Sequence, residues 1–333
     1  MVKNNIAKMV AATIGKQPSH KITATKARNK QYKKIFPDIK GKINQKVASK
    51  VALDTYVKKL FSGNEWLHDI ESDFVFENVV TSKESTKSVN IGGKKNLIVL
   101  DTHTQKFLWM MNKSTIYGAQ ELSVEENILL YSKLFLHFSS VILTDNKVNY
   151  PQPKTPNHTT QHGITSLALY TEIQEIFLLA HEVAHVLIDS NEYQDKFDII
   201  SSSKKRILLN ASLSEESKLN EEILVDEIAF EMTLNVYGRD NPDVVQLVCS
   251  AIFVMIRYFL WLRVVYKRED EDFEFNLWLS RNSFLRDKID QVYHWGSPMF
   301  VISILESMEE RMEPSACITA KILEEKFNYF SCV

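Results

Sequence analysis

The sequence predicts a mainly α-helical protein with a small β-sheet, an α+β fold, and three observations carry that expectation. Nine Gly and eight Pro in 333 residues are too few turn formers for a sandwich or barrel of many short strands. Long stretches free of both, above all 171–189 and 215–237, read as helices. The short apolar runs that suit strands collect in one part of the chain, 51–145. With 44% hydrophobic and 25% charged residues, the chain can bury a sizeable core in one large domain or two smaller ones.

Residues 1–50 form a basic N-terminal arm, because they hold thirteen Lys or Arg and a single acid, Asp38. The net charge of the whole chain is −2, so the remainder carries −14. Such an arm suits contact with nucleic acid, an anionic membrane surface or the acidic body of the chain itself, and it equally suits a solubilising terminus. Twelve of the thirteen are Lys, whereas an organellar transit peptide favours Arg and Ser, and no apolar core of a secretory signal follows the start.

A mixed α/β region is expected over 51–145. It begins with a helix near 51–61 and continues with strand candidates at 74–80, 96–100 and 107–111, separated by polar turns such as 90–94. An edge strand here could pair with an extended peptide through its backbone, although ordinary structural strands are the simpler reading. Ser123 and Glu126 then fit a capping box opening an amphipathic helix that runs to about Phe138.

The rest, 146–333, is expected to be helical. Its first loop, 146–163, holds three prolines with His158 and His162, residues that could line a cleft but suit a solvated loop as well. Thr171 and Gln174 fit a capping box for the helix that follows, and its apolar residues nearly surround the axis, so it should be buried. Within it stands His181-Glu182-Val183-Ala184-His185. Two His one turn apart on one helix face can offer two imidazole nitrogens to one ion. Zinc (Zn2+) takes neutral imidazole readily, and a catalytic site leaves one position to water, whose proton Glu182 can accept. The competing reading is a pair of core histidines satisfied by carbonyls, with Glu182 on a wet edge.

Ser212 and Glu215 fit a second capping box, and the pattern then runs unbroken to Tyr237, with Gly238 as its stop. The spacing of Glu222 and Asp226 puts two carboxylates on one face: Glu222 can bind metal while Asp226, one turn on, accepts the free N–H of a metal-bound histidine. Glu221 points about 100° away around the helix and has Val225 rather than an acid four residues later, so Glu222 is the preferred ligand. Ala229 and Thr233 continue the face with small side chains that permit close helix approach.

An HExxH helix completed by a Glu-x-x-x-Asp sequence on a following helix resembles the gluzincin metallopeptidases, over the 68 residues from Thr171 to Gly238. The resemblance implies a zincin-like core with zinc ligands His181, His185 and Glu222, general base Glu182, supporting carboxylate Asp226, and hydrolysis of peptide bonds in a protein or peptide substrate. The thermolysin group carries Asn immediately before the ligand Glu, whereas Glu221 holds that place here. In chain size and the isolated motif the protein also resembles the Lit-type phage-exclusion proteases.

Two further segments bear on function. The stretch 243–266 is the most hydrophobic, but Arg257 in its middle argues for a buried helix over a membrane span, with membrane association through this segment as the alternative. Tyr293 and His294 interrupt two helical patterns, and His294 is a candidate donor to a tetrahedral oxyanion. Cys249, Cys317 and Cys332 are odd in number and far apart, which gives no disulfide framework and suits a reducing cytoplasm. No repeat or Gly-rich phosphate loop offers another chemistry. The rival from a different class is a non-catalytic binding or regulatory protein whose basic arm contacts nucleic acid.

Overall fold

The computed structural model describes residues 45–79, 86–92, 94–143, 153, 161–190, 193, 215–265, 273–292 and 299–327. Most of the basic arm, nearly all of the loop before Gln161, Ser212, Tyr293, His294 and Cys332 lie outside the described residues. Those described form helices α1 (Gln45–Gly63), α2 (Thr102–Glu121), α3 (Val124–Leu143), α4 (Gln161–Asp189), α5 (Glu215–Tyr237), α6 (Pro242–Val265), α7 (Phe273–Val292) and α8 (Met299–Phe327). A 3-10 helix (Glu65–Asp73) leads into strands β1 (Phe74–Val79), β2 (Lys87–Gly92) and β3 (Lys95–Asp101). The fold is therefore mainly helical with one small sheet. The chain divides into two compact units, each discontinuous in sequence: 1–106 with 172–248, and 107–171 with 249–333.

The first unit is built on the sheet, in the order β1-β3-β2. β3 is central, parallel to β1 (Phe74↔Asn96 through Val79↔Asp101) and antiparallel to β2 (Lys87↔Val99 through Asn90↔Asn96). Its run Leu97, Ile98, Val99 and Leu100 is fully buried, as a strand covered on both faces requires. β2 falls where the polar composition suggested a turn. It is an edge strand with an irregularity between Asn90 and Gly92, so it needs no run of apolar side chains.

The third expected strand, 107–111, is instead part of α2. Asp101, the last residue of β3, caps that helix by accepting from the Thr104 backbone N–H (3.0 Å) and hydroxyl (3.1 Å). Phe107, Leu108, Trp109, Met110 and Met111 are all buried, which leaves no polar face from which periodicity could distinguish helix from strand.

Helices α1 and α5 approach so closely that a Cβ on Gly63 would lie 2.7 Å from the Val236 Cα. Next to it, buried Asn64 donates to the carbonyls of Leu60 (2.8 Å) and Met232 (3.1 Å) and accepts from the Asn235 side-chain amide (2.9 Å). One side chain thus satisfies the end of α1 and ties it to α5. Gly238 ends α5 with φ +93°, the left-handed conformation that favours glycine.

In the second unit α3 and α8 pack along their lengths. Ser123 and Glu126 form the expected reciprocal capping box: the Glu126 N–H donates to Ser123 Oγ at 3.2 Å and the Ser123 N–H to Glu126 Oε2 at 2.9 Å. Thr319 donates to the Ser132 carbonyl (3.1 Å) and Ser315 to the Ile128 carbonyl (3.0 Å), joining the helix pair through small hydroxyl side chains. Thr115 Oγ1 stands 2.8 Å from the Tyr131 hydroxyl and 2.7 Å from that of Tyr258.

α4 begins ten residues before the expected start. Thr171 is no cap: its hydroxyl donates to the Leu167 carbonyl one turn back (2.9 Å) and accepts from Asn112 (3.0 Å), a bonding pattern of a threonine inside a helix. α6 is long and apolar enough to cross a membrane by length and composition, and most of its apolar stretch is buried inside the protein.

Candidate metal centre

The motif residues occupy the last three turns of α4, where Ile173, Ile176, Phe177, Val183 and Ala184 are fully buried and hold the helix in the core of the first unit. An amphipathic helix there would expose its polar stripe, but this one has apolar residues nearly all round. His181 and Glu182 are each only 7% exposed, so both need partners within the protein.

Helix α5 supplies them. Glu222 Oε2 lies 3.4 Å from His181 Nε2 and Glu222 Oε1 lies 3.5 Å from His185 Nε2, so one carboxylate spans both imidazoles. The donor atoms of His181, His185 and Glu222 all lie within 4.8 Å of one another. Ligands about 2.0–2.1 Å from a tetrahedral zinc stand about 3.3 Å apart, which the two His–Glu separations match. Among the described residues this is the one group of three or more His, Cys, Asp and Glu side chains with that clustering.

The surrounding bonds prepare the donors. Asp226, with no exposed surface, sits 3.0 Å from His181 Nδ1. A buried carboxylate accepts here, so Nδ1 carries a proton and Nε2 is the nitrogen that could give its lone pair to a metal held with Glu222. On the other histidine, Glu221 Oε1 lies 3.6 Å from His185 Nδ1. Burial disfavours a charged His185, but Glu221 and Glu222 together with Glu182 override it and hold the imidazole up to about 10. Burial raises the Glu182 carboxyl above its ordinary value, and Glu222 adds to this. His181, His185 and the Ser88 backbone N–H act against it. Asp189, one turn beyond His185, is likewise raised by partial burial and by Glu221 and Glu222. Acidic groups crowded around two imidazoles suit a bound cation, and the donor set, two imidazoles and a carboxylate with one imidazole oriented by a further acid, fits zinc.

The structure thus brings together His181, Glu182, His185, Glu222 and Asp226, while His294 lies outside the described residues. Two neighbours take roles the sequence reading did not give them: Glu221 figured there only as the less favoured ligand, and Ser88 not at all. Glu221 reaches His185 because an imidazole has nitrogens on two sides, so residues flanking the helix face can each meet one. That geometry was available in the spacing of 221 and 222 on one turn. Ser88 contributes only its backbone N–H, for which side-chain identity gives no signal. Comparison with protein-family models, curated proteins and solved structures returns no match to this chain.

Proposed function

We propose that the protein is a zinc-dependent metallopeptidase with a zincin-like core, hydrolysing peptide bonds in an intracellular protein or peptide. The single observation that carries this reading is the convergence of His181, His185 and Glu222 beside the buried carboxylate of Glu182. When bound by those three residues, zinc would supply Lewis-acid polarisation of a scissile carbonyl and acidify water.

The chain's own residues do the rest. Asp226 fixes the His181 ring and its tautomer, and Glu222 is shared between the two imidazoles. Glu182 takes a proton from the attacking water and delivers it to the leaving amine, and its raised carboxyl pKa brings it closer to the working pH for both transfers. The Ser88 backbone N–H, on edge strand β2, is the weakest of the influences that counter the rise of the Glu182 carboxyl.

The test is Glu182→Gln, assayed on a denatured-protein or peptide-library substrate by mass spectrometry alongside zinc content. The expected outcome is retention of one zinc per chain with cleavage reduced by about two to four orders of magnitude. Cleavage that persists at the wild-type rate would refute the peptidase reading.

A further inference from the structure

We infer that Glu221 is a positioning residue for His185, serving its second imidazole as Asp226 serves the first. This inference rests on the metal-centre reading above. Residues 221, 222 and 226 lie on a single helix, and between them they face all four ring nitrogens of the two histidines. Asp226 faces His181 Nδ1 at 3.0 Å, Glu222 faces both Nε2 atoms, and Glu221 faces His185 Nδ1 at 3.6 Å. Each imidazole therefore has a carboxylate behind it and shares Glu222 in front.

The two supports differ in kind. Asp226 is fully buried and close, so it holds His181 rigidly. The Glu221 side chain is 35% exposed and farther away, so it holds His185 less rigidly. An acceptor at Nδ1 directs the proton there, leaves the Nε2 lone pair for metal and raises the donor strength of the ring. Glu221 thereby sets how tightly and how long metal is held at the more exposed of the two histidines.

The experiment measures zinc affinity by competition with a chromophoric chelator for the wild type, Glu221→Ala and Glu221→Gln, with thermal melting of each metal-free protein. Glu221→Ala is expected to weaken zinc binding about 10- to 100-fold with metal-free melting lowered only slightly, because the side chain is partly solvated. Glu221→Gln keeps an acceptor oxygen and is expected to recover most of the affinity. Wild-type affinity in Glu221→Ala overturns the inference, as does a loss in Glu221→Gln equal to that in Glu221→Ala, which would mean that charge rather than orientation matters. A wild-type chain that takes up no zinc refutes the metal centre itself, and with it the inference.

Discussion

Each compact unit holds a cluster of polar side chains on its helices, and the two clusters differ in kind. In the unit containing the motif helices, His181, Glu182, Glu222 and Asp226 are ionisable groups drawn together on α4 and α5, where like charges crowd and burial raises the Glu182 carboxyl. In the other unit, Thr115, Tyr131 and Tyr258 share one cluster of hydroxyls, and Ser132, Ser315 and Thr319 bond α3 to α8. Neutral hydroxyls satisfy one another at little cost, whereas buried acids and imidazoles are expensive unless something else uses them. Burial of polarity alone therefore does not mark a site; burial of groups that compete for protons and cations does.

If that contrast is right, the first unit should answer to metal and protons and the second to folding. The largest effect is on pH. His185 is held up to about 10 in the metal-free protein, so it is protonated at pH 7 and zinc must displace that proton. Apparent zinc affinity should rise roughly a hundredfold between pH 7 and 9, with one proton released per ion when titration calorimetry is run in buffers of different ionisation enthalpy. The linked stability runs the other way: protonated His185 stabilises the metal-free fold fully below about 6.5 and ceases to as pH rises through about 10. Affinity independent of pH would break the comparison at its strongest point.

Asp226→Asn removes the carboxylate behind His181 with little change in volume, and zinc affinity should fall about 10- to 100-fold in a chelator competition. In the second unit, Thr115→Val removes the hydroxyl shared by Tyr131 and Tyr258. Denaturant unfolding should show a loss of about 1–3 kcal/mol, with zinc affinity unchanged. Gly63→Ala forces a methyl against the α5 backbone and should cost about 1–3 kcal/mol of stability. A zinc defect in Thr115→Val would show that the hydroxyl cluster also serves the site.

The parts of the fold that were legible in sequence are those set by local spacing. The capping box at Ser123, the glycine stop at Gly238, and strands β1 and β3 follow from neighbouring residues. The pairing of Asp226 with His181 follows from helix phase once two helices are assumed to meet. What was not legible depends on distant partners. Thr171 looks like a cap until Leu167 and Asn112 are seen bonded to its hydroxyl. The 107–111 run looks like a strand because every side chain in it is buried. β2 is polar because an edge strand is held by its backbone.

The central claim is that α4 and α5 converge to hold a metal ion. It is tested most directly by elemental analysis of purified wild type beside His185→Ala and Glu222→Ala, each at known protein concentration after exhaustive dialysis. The account predicts one zinc per wild-type chain and less than about a tenth of that in either variant. Zinc undiminished in both variants, or absent from the wild type even after zinc is supplied, would contradict it.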